Sequence, residues 1–151
     1  MNADRFFIDS NILVYAYDAG EPRKQAIAQT VLRQAVQSSQ GCVSPQVFGE
    51  FFQVTVVRKR LLEPIQAERI LRSLAVLEAP VLGLDRVWDA LRIRSLCQLG
   101  YWDSLIVASA KAAKCRRLLS EDFSHGHHFD GVVAENPFAE PHAGAAGAAR
   151  R

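Results

Sequence analysis

A chain of 151 residues, 49% of them apolar and 23% charged, is long enough to bury a core without disulfides and has the balance of an ordinary globular protein. Its net charge of +2 permits a polyanionic partner without arguing for one, so a nucleic-acid role must rest on placed residues. Three scattered cysteines (Cys42, Cys97, Cys115) with no CxxC pair, no signal-peptide pattern and no uncharged run long enough for a bilayer exclude a disulfide scaffold and a membrane span, and predict reduced thiols in a cytoplasmic protein.

"RFFID" predicts a short buried strand, followed by a helix through Ile12–Tyr17 capped by Asp9 or Ser10 and ended near Gly20. "EPRKQAIAQTVLRQAVQSSQ" reads as an amphipathic helix with Ile27, Val31, Leu32, Ala35 and Val36 at helical spacing, then "CVS" as a very short strand. Ser44-Pro45 opens a helix expected to run to about Leu61, and Pro64 opens another through "IQAERILRSLAVLE". "APVLGLD" reads as a buried strand, with Asp85 capping a helix to Gly100. "WDSLIVASAKAAK" is a helix, "CRRLLS" a strand, "EDFSHGHH" a loop and "DGVVAEN" a last strand.

Strands alternating with helices predict an α/β fold, a three-layer α/β/α sandwich around a central, mostly parallel sheet. Residues 1–138 form one domain in this reading. The Ala/Gly-rich 139–151 is a tail of low complexity, expected to be disordered.

Open sheets of this kind collect chemistry at the carboxyl ends of their strands. Asp9 ends the first strand and Asp122 follows "RLLS", so both fall at that edge if the strands are neighbours. Glu50 shares a helical stripe with Val47, Val54 and Val57, and Asp103 shares one with Ile106, Val107 and Ala110. Helix capping would also account for Asp9 and Asp103, an ordinary loop for Asp122, and the broad apolar stripe of Phe48, Phe51 and Phe52 blurs the placement of Glu50. Taken together, four acids aimed at one edge repel. Two like charges about 4 Å apart cost roughly 4 kcal/mol at an effective dielectric of about 20. No lysine or arginine shares these stripes, so a hard divalent cation, Mg²⁺ or Mn²⁺, is the natural counter-charge.

"FFIDSNILVYAYD", "SPQVFGEFF", "YWDSLIVASA" and "LLSEDFSHG" resemble, in order, the four conserved segments of PIN-domain nucleases, and the small single-domain form is similar to VapC-type toxins of toxin–antitoxin pairs. The resemblance runs from Arg5 to about Phe138. It implies that Asp9, Glu50, Asp103 and Asp122 form an acidic catalytic and metal-binding quartet. Ser10, Asn11 and Ser120 match the small polar residues beside the first and last acids, and Glu121 is an extra acid next to Asp122. It further implies Mg²⁺- or Mn²⁺-dependent cleavage of RNA by activated water, a homodimer, and a small antitoxin laid across the site.

Basic clusters at Arg58-Lys59-Arg60, Arg69/Arg72, Arg92/Arg94 and Lys111/Lys114/Arg116/Arg117 are candidates for lining an RNA groove or for plain solvation. Trp102 could stack on a base or pack at an interface. "HGHH" at 125–128 lacks partner cysteines and an i, i+4 histidine pair, so an exposed loop is the better reading than zinc. Two other classes compete: a catalytically weak PIN-like module binding RNA or protein, which retention of all four acids disfavours, and a haloacid-dehalogenase-type phosphatase, which needs an aspartate where Asn11 stands.

Overall fold

The computed structural model describes residues 2–77 and 79–140; the tail from 141 onward lies outside the described residues. The elements in chain order are β1 (Asn2–Ile8), α1 (Ser10–Tyr15), α2 (Pro22–Ser38), β2 (Gly41–Cys42), α3 (Pro45–Phe52), α4 (Pro64–Leu74), α5 (Leu84–Cys97), α6 (Tyr101–Ala112), β3 (Cys115–Leu119), β4 (His128–Phe129) and β5 (Val132–Glu135). The sheet has the order β2-β1-β3-β5-β4, parallel except for the β4–β5 pair. This is the α/β/α architecture expected from the alternating pattern. None of the described helices is long and apolar enough to cross a membrane.

β1 is buried on both faces through Phe6, Phe7 and Ile8, as a central parallel strand covered by helices must be. It lies in register with β3, Phe7 opposite Leu118 and Ile8 opposite Leu119. The two strands therefore end side by side, and Asp9 N–H reaches the Leu119 carbonyl at 3.0 Å. The core fills from α1 (Ile12, Leu13), α3 (Val47, Phe51) and α6 (Leu105, Ile106, Val107). Cys42 and Cys115 are buried, and none of the three cysteines forms a disulfide.

Four expectations need correction. "APVLGLD" is not a strand: Val81 is 86% exposed, Leu82 is exposed too, and Leu84 already starts α5. Pro80 and Gly83 break the run, and the sheet is completed without it by the short strand β4. Gly83, not Asp85, is the α5 N-cap; Asp85 sits in the first turn, and the helix stops at Cys97. The helix from Ser44 does not continue as α to Leu61. Ser44 caps it as expected, but after Phe52 it becomes a π-helical turn over Gln53–Arg58, with Lys59 N–H bonded to the Val54 carbonyl at 2.8 Å. Finally, "DGVVAEN" holds the expected strand as β5, but the stretch before it is not all loop, since His128–Phe129 forms β4. Asp130 and Gly131, at φ 51° and 89°, make a two-residue turn that folds β4 back on β5. Both left-handed positions are what a type I′ hairpin requires.

Candidate active site

β1 ends by delivering Asp9, which is also the N-cap of α1. The capping reading and the cluster reading are thus the same residue doing both. Asp9 is 4% exposed. Its Oδ1 accepts from Ser10 N–H at 2.7 Å, and its Oδ2 from the Ser120 hydroxyl at 2.7 Å and from Asn11 Nδ2 at 3.5 Å. Burial pushes its carboxyl from 3.8 up to about 7, against the pull of the Ser120 and Ser10 hydrogen bonds and with repulsion from Glu50 and Asp122 adding to the rise.

Ser120 is the hub that joins the two strand ends. Besides donating to Asp9, its Oγ accepts from Asn11 Nδ2 at 3.0 Å and from Asp122 N–H at 3.1 Å. Asn11 Nδ2 also reaches Asp122 Oδ2 at 3.2 Å, and Asn11 Oδ1 accepts from Glu121 N–H at 3.3 Å. One amide therefore bridges the loop after β1 and the loop after β3 and sets where Asp122 stands.

From α3, Glu50 arrives with both oxygens held, Oε2 by the Ser10 hydroxyl at 2.7 Å and Oε1 by Gln46 Nε2 at 2.8 Å. Gln46 also donates to the Trp102 carbonyl at 3.2 Å, tying α3 to the start of α6. Asp103, in the first turn of α6, is half-buried; desolvation raises its carboxyl, with Asp122 and then Glu50 contributing repulsion. The electrostatic links Asp9–Glu50, Asp9–Asp122, Asp103–Asp122 and Asp103–Glu50 join all four acids into one set.

The neighbouring acids are treated differently. Glu121 turns away to accept from Tyr15 Oη at 2.7 Å and Lys24 Nζ at 2.9 Å, and buried Asp18 is paired with Lys59 at 3.0 Å. Among the described residues, no lysine or arginine pairs with Asp9, Glu50, Asp103 or Asp122. The donor set is all oxygen, which suits a hard divalent cation rather than a soft one. Among the described residues, no three such groups stand close enough together to hold a metal ion.

Glu50 and Asp122 line a cleft of about 390 Å³ together with Ser10, Asn11, Tyr15 and Trp102, and also with Arg58 and Lys59 from the end of the π-helical turn. Lys24 and Gln46 were not singled out from sequence, and Tyr15 only as apolar surface of the core or of a partner groove. Gln46 lies four residues before Glu50, so helical spacing could have found it. Lys24 is 97 residues from its partner Glu121, with no local signal. The "HGHH" loop stays outside the cleft, His125 Nδ1 accepting from Asn136 N–H at 3.0 Å.

Solved structures of similar fold include a toxin–antitoxin complex from Klebsiella pneumoniae (TM-score 0.61, 20% identity, 90% of this chain and 98% of that one), VapBC2 from Rickettsia felis bound to a DNA fragment from their promoter (0.63, 18%, 87% and 97%) and VapC20 from Mycobacterium tuberculosis, a sarcin–ricin loop cleaving toxin (0.54, 17%, 75% and 86%). No match is found among curated protein sequences. The family model of the PIN domain matches residues 6–127, a span that includes all four acids and every side chain bonded to them, and the chain belongs to the PIN domain family.

Proposed function

We propose that this chain is a Mg²⁺- or Mn²⁺-dependent endoribonuclease and the toxin of a toxin–antitoxin pair, acting in the cytoplasm. The observation that carries the reading is a contrast between acids: Glu121 and Asp18 are neutralised by lysines, while the quartet has no protein cation among the described residues. Leaving four carboxylates uncompensated is costly unless a cation completes the site. Asp9, Asp103, Asp122 and Glu50 would hold it. A divalent ion there supplies polarisation of water and neutralises charge on a scissile phosphate.

The chain's own residues do the positioning. Ser120 and the Ser10 amide orient Asp9 and favour its ionised form; the Ser10 hydroxyl and Gln46 orient Glu50; Asn11 places Asp122. With the Tyr15 and Lys24 contacts occupying Glu121, that acid serves the cleft wall rather than the quartet. The similar structure from Klebsiella is a toxin–antitoxin complex, that from Rickettsia is VapBC2 and that from Mycobacterium is a sarcin–ricin loop cleaving toxin, which supports RNA as substrate and a small antitoxin as partner. A homodimer fits the apolar stripe Leu84, Trp88 and Leu91 exposed along α5.

The test is incubation of labelled RNA with the purified protein in Mg²⁺, Mn²⁺ or EDTA, beside Asp9→Asn. Cleavage in either metal, lost in EDTA and in the variant, is expected. Binding without cleavage in every metal would instead favour a PIN-like binding module.

A further inference from the structure

Several basic side chains among the described residues are already committed. Arg117 pairs with Glu135, Arg92 and Lys111 with Asp130, Arg72 with Glu68, and Lys24 with Glu121. Two cations line the acidic cleft itself, Arg58 and Lys59. Lys59 is anchored on Asp18 and stands 5.4 Å from the centre of the Tyr15 ring. Arg58 is exposed and has no ion pair or side-chain hydrogen bond among the described residues. The π-helical turn accounts for their position: its wider winding rotates the side chains after Phe52 away from the course an uninterrupted α-helix would give them. An unpaired guanidinium at the lip of a cleft that otherwise repels phosphate is an anion handle.

Trp102 lines the same cleft from the start of α6 and is 66% exposed. Its ring meets Tyr101 edge-on at 5.0 Å and its carbonyl is held by Gln46, the side chain that also holds Glu50. An indole this exposed is unfavourable toward water, yet it is fixed beside the acids, where a flat apolar face can take a base.

We propose that Arg58 and Trp102 form a two-point grip on one unpaired nucleotide step of the RNA, Arg58 holding a phosphate and Trp102 stacking its base beside the carboxylates. A base can lie on Trp102 only if it has left a duplex stack, so the grip requires an unpaired base at that position. The inference rests on the ribonuclease reading, and its test fails separately from that reading.

The chain has two tryptophans, so an Asp9→Asn, Trp88→Phe protein reports Trp102 alone while cleavage is arrested and one negative charge is removed from the cleft. Titration in Mg²⁺ with a fluorescein-labelled single strand is expected to quench indole emission, and a duplex of the same sequence to leave it unchanged. In the same background, anisotropy should show Trp102→Ala binding the strand about tenfold more weakly with Trp102→Phe largely restoring it. Arg58→Gln should lower the slope of log affinity against log salt by about one. Both side chains are exposed, and thermal melts should show all variants folded. Binding without quenching, quenching by duplex, full affinity in Trp102→Ala or an unchanged salt slope would each overturn the grip. Failure of the parent protein to cut RNA in Mg²⁺ or Mn²⁺ would overturn the ribonuclease reading and the grip with it.

Discussion

Asp9→Asn is expected to make the metal-free protein more stable at pH 8 even as it abolishes cleavage. Asp9 is buried, and its carboxyl rises from 3.8 to about 7 in the fold. Between those values the folded chain keeps a proton that the unfolded chain has released, so this group's contribution to stability is full below 3.8 and falls as pH rises through about 7. A window of about three pH units at about 1.4 kcal/mol each sets a ceiling of about 4 kcal/mol. Asparagine forfeits part of that gain, because the bonds from Ser10 N–H and Ser120 are each worth about 1 kcal/mol less to a neutral amide than to a carboxylate. A net gain of about 1–2 kcal/mol at pH 8 remains, or about 3–6 °C in Tm for a chain of this size. Thermal melts in EDTA from pH 5 to 8 read it: the difference between variant and parent should grow with pH because the parent weakens. If the variant is less stable than the parent by the same amount at pH 5 and pH 8, Asp9 carries no buried charge strain and the argument for a missing cation loses its base.

Ser120→Ala removes a hydrogen bond that holds the Asp9 carboxyl down, so Asp9 should stay protonated to a higher pH and the acid limb of the pH–rate profile should move upward. Asp122→Asn should lower the rate by on the order of a hundredfold, whereas Glu121→Gln, which disturbs only the Tyr15–Lys24 contacts, should cost far less; equal losses in kcat would return Glu121 to the quartet. Lys59→Met strips buried Asp18 of its partner, and because that carboxyl is held below its ordinary value by the Lys59 hydrogen bond, the drop in Tm should be largest near neutral pH and fade as the medium turns acid enough to protonate Asp18. Mn²⁺ at about a hundred times its Kd should raise the parent's stability by about 2.7 kcal/mol and that of Asp103→Asn by clearly less, as differential denaturation would show.

What could be read from the sequence was whatever is local and periodic. Phe6-Phe7-Ile8 announced a strand buried on both faces, and Ser44-Pro45 announced a helix start, because those choices are made within a few residues. The alternation of elements predicted a parallel sheet but left open whether the strands ending at Asp9 and before Asp122 are neighbours; the structure pairs them. The "VLGLD" run misled because apolar content does not say whether a strand has a neighbour to pair with, and Pro80 and Gly83 were the better guides. Asp130-Gly131 carried a hairpin signal in two letters that was passed over for the longer apolar run. The π-helical turn was not legible: Gln53–Arg58 is compatible with an uninterrupted α-helix. Lys24 and Glu121 meet only once the sheet has assembled.

The account turns on whether four distant carboxylates act as one cation site that cuts RNA. Electron paramagnetic resonance of Mn²⁺ can follow the bound ion while aliquots of the same samples are assayed for RNA cleavage, for the parent and for Asp9→Asn, Glu50→Gln, Asp103→Asn and Asp122→Asn. The account expects cleavage to rise in step with bound Mn²⁺ in the parent and both to fall together in the variants. Cleavage that proceeds without bound Mn²⁺, or Mn²⁺ binding that all four substitutions leave unchanged, would contradict it.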